Sequence, residues 1–531
     1  MHTDVLVVGG GLGGVAAALA ALRAGRSVIL TEEFDWLGGQ LTSQGVPPDE
    51  HTWVEQFGVT ASYRALRDGI RDYYRRHYPL TARSRAAKEL NPGAGYVSKL
   101  CHEPRVAVAV IESLLAPYRA SRRLQVLQPY KPVSATTDGD RVASVTVGHR
   151  DTGAELTLTA PYILDATETG ELLPLTGTEY VTGFESQAMT GEPSAPAEAQ
   201  PLNMQAVSFC FAVDHVDGDH VGDKPANYAF WRNYQPPFWG DRMLSWHAPD
   251  PRTLEPSVRT FTPNPDDDPL TVVADQRKTG GDTNLWTFRR IAARQHFEPG
   301  AYESDICLVN WPMIDYLEGP VFDVPDAAKH LEGAKELSRS VFYWLQTEAP
   351  RPDGGTGFPG LRLRGDLLGS TDGLAQAPYI RESRRIAAEY TIVEQDLSVA
   401  VRGSAGAVEY GDTVGVGMYR IDLHPSTGGD NYIDVASSPF RIPLGALIPQ
   451  RVDNLLPASK NLGTTHITNG CYRLHPVEWN VGEAAGLLAA FCLDRGASPR
   501  AVRNSPALLV EFQSRLSDQG VELSWPDVTG Y

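Results

Sequence analysis

The stretch DVLVVGGGLGGVAAALAALRAGRSVILTEE, residues 4–33, decides the fold. An unbroken apolar run is followed by a glycine-rich turn, a segment of small apolar residues and a second apolar run. This order predicts a buried parallel strand, a helix from about Gly13 to Ala24 that stops at Gly25, and a second parallel strand. Such a strand–helix–strand unit is typical of the beginning of a Rossmann-like sheet.

The glycines of this turn have the spacing Gly9-x-Gly11-x-x-Gly14. The first glycine makes the tight turn, the second lets the backbone approach a pyrophosphate, and the third lets helix and strand pack closely. The N-terminus of the helix then directs free N–H groups and a positive dipole end at the phosphates. Glu32 ends the second strand, where a carboxylate accepts hydrogen bonds from ribose hydroxyls. The stretch therefore predicts a bound dinucleotide.

Length and composition limit the class of protein. A chain of 531 residues is too long for one compact core, so we expect two or more domains. The net charge of −18 argues against nucleic acid or an anionic membrane as a partner. The five cysteines form no CxxC pair and are expected to be reduced and mostly buried. With no visible leader and no apolar run of about 18 residues, we expect a cytoplasmic protein without membrane insertion.

Three alternating runs follow the first unit and are joined by hairpin turn signals at 138–140 and 151–153. They predict a three-stranded antiparallel meander over about 126–160, whose last run leads into an apolar strand ending at Asp165. Helices are predicted over further segments, namely 54–78, 103–121, 378–397 and, as the final helix, about 478–494.

The middle of the chain has a different composition, with proline-rich stretches and many aromatic residues. The predicted fold class is therefore α/β, with a Rossmann-like domain that contains the parallel sheet and the three-stranded meander, plus a mixed α+β substrate domain. We expect the first domain to be discontinuous, over 1–184 and 366–531, and the substrate or cap domain to cover 185–365.

Three features favour FAD over NAD as the dinucleotide. The segment WLGGQLTSQG, residues 36–45, has glycines that permit close approach of a large planar group. The meander is an insertion typical of FAD folds, and the turn after Asp165 is another place where backbone can meet the cofactor. No second GxGxxG follows an apolar strand and opens a helix, so we expect no NAD(P) domain and direct transfer of electrons to O2, a quinone, another protein or a second small molecule.

At these motifs the chain resembles the glutathione-reductase-type FAD flavoproteins. Within them it is most similar to FAD-dependent oxidoreductases related to fumarate reductase and succinate dehydrogenase flavoproteins. The resemblance is strong towards both ends of the chain, and the middle matches loosely through LVNWPMIDY. The segments that carry it are VLVVGGGLGG, VILTEE, WLGGQLTSQG, YILDATETGELLPLTG, PYIRESRRI, YRIDLHP and NLGTTHITNGCYRLHPVEWNVGEAAG.

The resemblance implies a set of contacts with non-covalent FAD, since the histidine that would carry a covalent flavin near Thr42 is absent. This sequence departs from the family pattern at Glu168, where the family often has glycine. The implied contacts are Gly9, Gly11, Leu12, Gly13, Gly14 and Ala166 at the pyrophosphate, Glu32 with the adjacent Glu33 at the ribose, backbone of Val133 at the adenine, Gly39 and Gln40 near the flavin, and a turn of Trp479, Asn480, Val481 and Gly482 at the pyrimidine edge.

Oxidation of a substrate by a flavin requires a donor carbon over the flavin N5 and a base for the accompanying proton. Candidates cluster late in the chain, in loops rich in Gly, Pro, Asn and Thr. They are His424, His466, Arg473 and His475. Asp422 either orients His424 or caps a turn.

Arg381 has two interpretations. The segment YIRESRRI, residues 379–386, has charges at helical spacing that suit a solvated face with internal ion pairs. The other interpretation places Arg381 near the site, where it binds an anionic substrate. No metal site is predicted.

The leading hypothesis is an FAD-dependent oxidase or dehydrogenase that acts on a small organic substrate. A flavin monooxygenase or halogenase is the alternative among enzymes. A flavin-binding subunit of an electron-transfer complex, without turnover of its own, is the alternative from another class. The sequence does not identify the substrate, the bond that is oxidised, the electron acceptor or the oligomeric state.

Overall fold

The computed structural model describes residues 1–274 and 284–530, with only the backbone for 272–274. The strands of this part are β1 (Val5–Val8), β2 (Val28–Thr31), β3 (Leu124–Leu127), β4 (Tyr130–Asp138), β5 (Arg141–His149), β6 (Glu155–Leu158), β7 (Tyr162–Asp165), β8 (Tyr180–Val181), β9 (Phe211–His215), β10 (His247–Pro249), β11 (Pro256–Val258), β12 (Arg290–Ala292), β13 (Ile306–Val309), β14 (Leu361–Leu363), β15 (Arg385–Ile386), β16 (Thr413–Gly417), β17 (Ile421–Leu423), β18 (Ile433–Val435), β19 (Phe440–Pro443) and β20 (Leu455–Pro457).

The α-helices in the same part of the chain are α1 (Leu12–Arg23), α2 (Ala61–His77), α3 (Ala82–Ala86), α4 (Pro104–Ala120), α5 (Leu172–Thr176), α6 (Gln187–Thr190), α7 (Tyr228–Asn233), α8 (Pro269–Ala274), α9 (Leu285–Phe288), α10 (Ala327–Thr347), α11 (Gly365–Leu368), α12 (Val399–Arg402), α13 (His466–Tyr472), α14 (His475–Arg495), α15 (Pro499–Asn504) and α16 (Pro506–Asp518).

A five-stranded parallel sheet in the order β20-β7-β1-β2-β3 organises the cofactor side of the molecule. Strands β1, β2 and β7 are completely buried, because α1 and α14 cover one face of the apolar sheet and strands β5 and β6 pack on the other. Their register places Val8, Thr31 and Asp165 side by side at the carboxyl edge. A ligand crevice is expected at this edge of such a sheet.

Helix α1 packs tightly along α14, and glycines make this close approach possible. A Cβ on Gly482 would lie 2.0 Å from the carbonyl oxygen of Gly13, and one on Gly486 would lie 2.2 Å from that of Ala17. Almost every residue of α14 is buried. Helix α14 therefore fixes the position of the glycine-rich turn that precedes α1.

The predicted meander is confirmed as the antiparallel sheet β4-β5-β6. The first predicted run is divided between two sheets, because Pro129 interrupts it and β3 joins the parallel sheet instead. The last run divides in the same way, and β7 pairs with β1.

The middle of the chain has a hydrophobic core of its own, built around the antiparallel sheet β12-β13-β9-β14 and helix α10. Five of the tryptophans in this core are at most 3% exposed, and Trp246 packs against it partly buried. They are Trp231, Trp239, Trp286, Trp311 and Trp344. We keep 185–365 as a proposed substrate domain, supported by this separate core.

Three secondary-structure predictions were wrong in part. The helix predicted over 54–78 begins only at Ala61, after its N-cap Thr60 accepts a hydrogen bond from Tyr63 N–H. Segment 378–397 is irregular apart from β15 and the 3₁₀ turn Glu394–Asp396, because its charged side chains are buried against distant partners. Two helices, α15 and α16, follow the one predicted to be last.

All five cysteines are buried free thiols. Across residues 1–274 and 284–530, no helix is long and apolar enough to cross a membrane. Over the same ranges no group of three or more His, Cys, Asp or Glu side chains is arranged to hold a metal ion.

Candidate active site

A cleft of about 430 Å³ opens at the carboxyl edge of the parallel sheet. Its floor is the turn between β1 and α1, and its walls come from β2, from the start of β4 and from the turn after β7. The residues that line it include Gly9, Gly11, Thr31, Glu32, Glu33, Tyr130, Lys131, Pro132, Ala166, Thr167, Glu168 and Arg384.

Glu32 is held rigidly in this cleft. Its carboxylate accepts hydrogen bonds from the backbone N–H groups of Gly10, at 2.8 Å, and Phe34, at 2.9 Å. Burial raises the pKa of Glu32 to about 8, against these two hydrogen bonds. Glu33 lines the cleft beside it and forms an ion pair of 3.5 Å with Lys131.

The glycines of the turn serve different purposes. A Cβ on Gly9 would lie 2.3 Å from the carbonyl oxygen of Ala166, and one on Gly14 would lie 2.0 Å from that of Gly9. These two glycines are required by the fold itself. A Cβ on Gly11 would meet only carboxylate ends, Glu168 at 2.8 Å and Glu478 at 3.5 Å. Gly11 therefore keeps space for a ligand, as the fingerprint requires.

Val133, whose backbone was predicted to meet the adenine, has different surroundings from those expected. Val133 lies at an irregularity of β4, between Pro132 and Ser134, and is 38% exposed. The residues of this strand that line the cleft are Tyr130, Lys131 and Pro132.

The predicted turn at Trp479–Gly482 was wrong, since these residues lie inside α14. The indole N–H of Trp479 donates to Ser62 at 2.7 Å, the Asn480 side chain donates to the Val414 carbonyl at 3.2 Å, and Val481 is buried. Gly482 packs on Gly13. Backbone N–H groups inside a helix bond to carbonyls of the same helix, so those of 479–482 are not free to meet a cofactor. The free N–H groups of α14 lie in its first turn, which begins at His475.

Asp315 and His424 form the clearest catalytic arrangement. The Nδ1 atom of His424, just after β17, lies 2.6 Å from Oδ2 of Asp315. The other oxygen of Asp315 accepts from Ser208 at 2.8 Å and pairs with Arg381 at 2.9 Å. Burial and Arg381 lower the pKa of His424, although Asp315 opposes them. Burial would raise the pKa of Asp315, but Arg381 and His424 hold it below its usual value.

Arg381 is therefore buried beside the site and does not lie on a solvated helix face. Its guanidinium also lies 5.1 Å from the centre of the Tyr379 ring. Arg473 donates to the hydroxyl of Tyr379, at 3.3 Å, and to the carbonyl of Asp422, at 3.0 Å. Tyr379 thus joins the two predicted arginines. The main-chain carbonyl of Arg473 accepts from the amide of Gln40 at 3.0 Å.

His475 lies at the first position of α14. Its Nδ1 accepts the backbone N–H of Asp49 at 3.0 Å, while its Nε2 is buried without a partner in the described chain. Burial and Arg289 lower the pKa of His475 well below its ordinary value, so the ring is neutral. Arg289 pairs with Asp49 at 3.4 Å.

His466 belongs to a different cluster. It lies 2.9 Å from the carboxylate of Glu382, and its ring is stacked on Phe184 with a centroid distance of 3.7 Å. Arg385 pairs with the same Glu382 and, at 2.9 Å, with Glu185. Burial opposes the charge of Glu382, but His466 and Arg385 lower its pKa to about 2. The surroundings of His466 are those of a structural residue.

The sequence reasoning missed Asp315, Asp49, Arg289 and Tyr379. Asp315 lies in LVNWPMIDY, the one middle segment with a family resemblance, and this was the only signal for it. Tyr379 lies in PYIRESRRI, another segment with the family resemblance. Asp49 and Arg289 gave no signal, since their roles depend on partners that are distant in the sequence.

A second cavity of about 430 Å³ lies beside Asp422. Tyr419 and Asp422 line it, and the carbonyl of Asp422 accepts from Arg473. The basic residues Lys99, Arg252 and Arg420 also line it.

The chain belongs to the family described as FAD dependent oxidoreductase, whose model matches residues 4–516. The cleft fits FAD on its own geometry. The backbone at Gly11 is faced within 3.5 Å by the ends of side chains rather than by other backbone, which suits the approach of a pyrophosphate, and the fixed carboxylate of Glu32 suits a ribose. Both polar atoms of the Gln44 side chain, in the segment predicted to meet the flavin, are buried without a partner among the described residues.

Two dehydrogenases are among the solved structures to which this chain is similar. L-proline dehydrogenase from P. horikoshii is 16% identical, with a TM-score of 0.18, and the match covers 35% of this chain and 25% of that one. The glycerol-3-phosphate dehydrogenase from Bacillus halodurans, complexed with FAD, is 16% identical, with a TM-score of 0.23 and coverage of 40% of each chain.

The anhydrotetracycline hydroxylase OxyS from Streptomyces rimosus is 12% identical, with a TM-score of 0.33, and the match covers 98% of this chain and 66% of that one. The chain spans less than half the length of the first solved relatives. No curated protein matches the sequence.

Proposed function

We propose that this FAD-dependent oxidoreductase oxidises a small organic substrate, with His424 as the base. The observation that carries the proposal is the Asp315–His424 pair, at 2.6 Å, on the same carboxylate that holds Arg381. Non-covalently bound FAD supplies the acceptor for the hydride. The proton that accompanies the hydride has to be taken by the protein.

The hydrogen bonds assign the tautomer of His424. Asp315 accepts from Nδ1–H, which leaves Nε2 as the atom that takes the proton. Among the described residues Nε2 has no hydrogen-bond partner, and the side chain is 20% exposed. Because burial lowers the pKa of His424, the ring is neutral and ready to act as a base near pH 7.

Three buried arginines around Tyr379 would orient the substrate. The Nε atoms of Arg289, Arg381 and Arg473 are all buried without a partner in the described chain. Each of these arginines has one aspartate nearby, namely Asp49, Asp315 and Asp422 respectively. Their unpaired N–H groups suit an oxygen-rich substrate group such as a carboxylate.

The proposal is tested by screening candidate substrates for bleaching of the flavin without oxygen. A substrate that bleaches the flavin of the wild type, and does so slowly in His424→Ala, supports it. If the purified protein neither contains flavin nor binds added FAD, the proposal fails.

The same experiment separates the alternatives. Reduction by NAD(P)H followed by a hydroxylated product indicates a monooxygenase. Co-purification of an iron–sulfur partner, with no bleaching by any substrate, indicates an electron-transfer subunit.

A further inference from the structure

Glu168 occupies an unusual position in the cofactor cleft. It follows the end of β7 by three residues, and its Oε1 lies 2.8 Å from the places where a Cβ on Gly11 and a Cβ on Gly39 would be. The carboxylate thus stands between the two glycine turns. The first of these turns is the one that approaches the pyrophosphate in dinucleotide folds.

The two oxygens of Glu168 have different surroundings. Oε2 forms an ion pair with Lys460. Oε1 is buried and has no hydrogen-bond partner in the part of the chain that the structure describes. A buried carboxylate oxygen without a donor is unfavourable, so this position of Glu168 depends mainly on Lys460.

Lys460 is only 1% exposed, and its second carboxylate is Glu478 at 3.9 Å. Burial alone would lower the pKa of Lys460, but Glu168 and Glu478 together raise it above its ordinary value, so the ammonium group is charged. Glu478 itself is fixed, since it accepts the Gly13 N–H at 3.2 Å and the Ser459 hydroxyl at 3.1 Å. Glu168 is 22% exposed and has room to turn away.

We propose that Glu168 is an exchangeable counter-ion of Lys460, which the pyrophosphate of FAD replaces. Two carboxylates already share one buried ammonium group, and a pyrophosphate adds further negative charge at the same place. The charges balance better when Glu168 turns towards solvent and Lys460 pairs with the phosphate oxygens. Glu168 therefore holds Lys460 in position before FAD arrives and weakens the affinity for FAD.

The test compares FAD binding and thermal stability in the full-length protein after removal of its flavin. Glu168→Gln keeps the size of the side chain and removes its charge. We expect it to bind FAD about tenfold more tightly, because the pyrophosphate no longer competes with a carboxylate. We also expect the flavin-free variant to melt at a lower temperature than the flavin-free wild type, because Lys460 loses its partner.

Glu171→Gln is the matched control. Glu171 lines the same cleft and is not paired with Lys460. Because burial raises the pKa of Glu171 to about 7, binding is compared at about pH 9, where its replacement removes one charge without affecting the exchange. A smaller effect on the dissociation constant than in Glu168→Gln supports the proposal. Equal tightening in both variants overturns it in favour of a general field effect, and weaker binding by Glu168→Gln overturns it as well.

Lys460→Met provides the second variant. We expect it to bind FAD more weakly and to abolish the difference between glutamate and glutamine at position 168. If Glu168→Gln still tightens binding when Lys460 is absent, the exchange does not take place. All these results concern binding, so they are independent of whether a substrate is found for the enzyme.

Discussion

At the scale of single residues, His424 and Asp315 decide the proposed proton transfer. Replacing His424 with alanine removes the base, and we expect the rate of flavin reduction by substrate to fall about a hundredfold or more. The visible spectrum of bound FAD should stay unchanged, since His424 does not line the cofactor cleft. Stopped-flow absorbance without oxygen measures both. An unchanged rate would remove His424 from the mechanism.

Asp315→Asn gives a separate prediction about pH. The active form of His424 is neutral, so the rate rises with pH through the pKa of the ring and is constant above it. Since burial lowers this pKa, the rate of the wild type should rise at pH values below the ordinary histidine pKa of about 6.5. Asp315 raises the pKa of His424, so Asp315→Asn should shift this rise in rate to lower pH and also lower the constant rate above it. A rise in rate that shifts to higher pH contradicts this arrangement.

His466 is expected to behave differently from His424. Its ring supports Glu382 inside a buried ion cluster, and Glu382 keeps Arg385 and the backbone N–H of Gln205 as partners if the ring is removed. We expect His466→Ala to lower the free energy of unfolding by about 2–3 kcal/mol. Urea unfolding measures this. Reduction rates per bound flavin should remain near the wild-type value, and a large fall in the rate would give His466 a role in the chemistry.

Gly11 tests the cofactor turn. A valine there meets the ends of the Glu168 and Glu478 side chains rather than backbone, so the chain should still fold. The same side chain fills the space next to the pyrophosphate, and we expect FAD binding to be lost. Absorbance of the purified protein at the flavin bands and its circular dichroism together check the prediction. A folded variant that is fully yellow would refute the assignment of the turn.

At the scale of elements, the crossing of α1 and α14 positions the turn. Gly486→Ala would place a Cβ 2.2 Å from the Ala17 carbonyl, and backbone at that distance has to move. We expect a loss of about 3 kcal/mol or more in unfolding free energy, together with weaker FAD binding. Gly411→Ala is the control, because a Cβ there meets nothing within 4 Å. It should leave both quantities almost unchanged, and equal effects in the two variants would contradict the packing argument.

Elements with a local signal were predictable, and those with distant partners were not. The apolar periodicity and the glycines of residues 4–33 specify β1, α1 and β2 without help from the rest of the chain. The charges of 379–386 also have helical spacing, but they point to Asp315, Asp323, Glu185 and His466. Because burial with these partners outweighs helix propensity, the segment is irregular. A single sequence does not reveal such pairs, and for the same reason it did not reveal Asp315.

At the scale of the whole molecule, the cofactor cleft joins the two main hydrophobic cores. Val321 and Leu331 pack against the core of the middle segment, and both line the cleft together with Gly9 and Glu32. Arg384 strengthens the junction, since it pairs with Asp323 at 2.6 Å and donates to the Thr169 carbonyl at 2.8 Å. A ligand in the cleft therefore contacts residues that depend on both cores.

This arrangement predicts one cooperative thermal transition that FAD moves as a whole. At a free concentration of 100 times its dissociation constant, FAD should add about 2.7 kcal/mol to the unfolding free energy. Arg384→Ala should weaken the coupling, so that calorimetry separates the transition into two and only the part containing the parallel sheet still responds strongly to FAD. Arg351→Ala is the control and should keep a single transition, because it removes a half-buried arginine whose partners, Asp353 and the Gly357 carbonyl, are both close to it in the sequence. Two independent transitions in the wild type, of which FAD moves only one, would show that the cleft does not connect the cores.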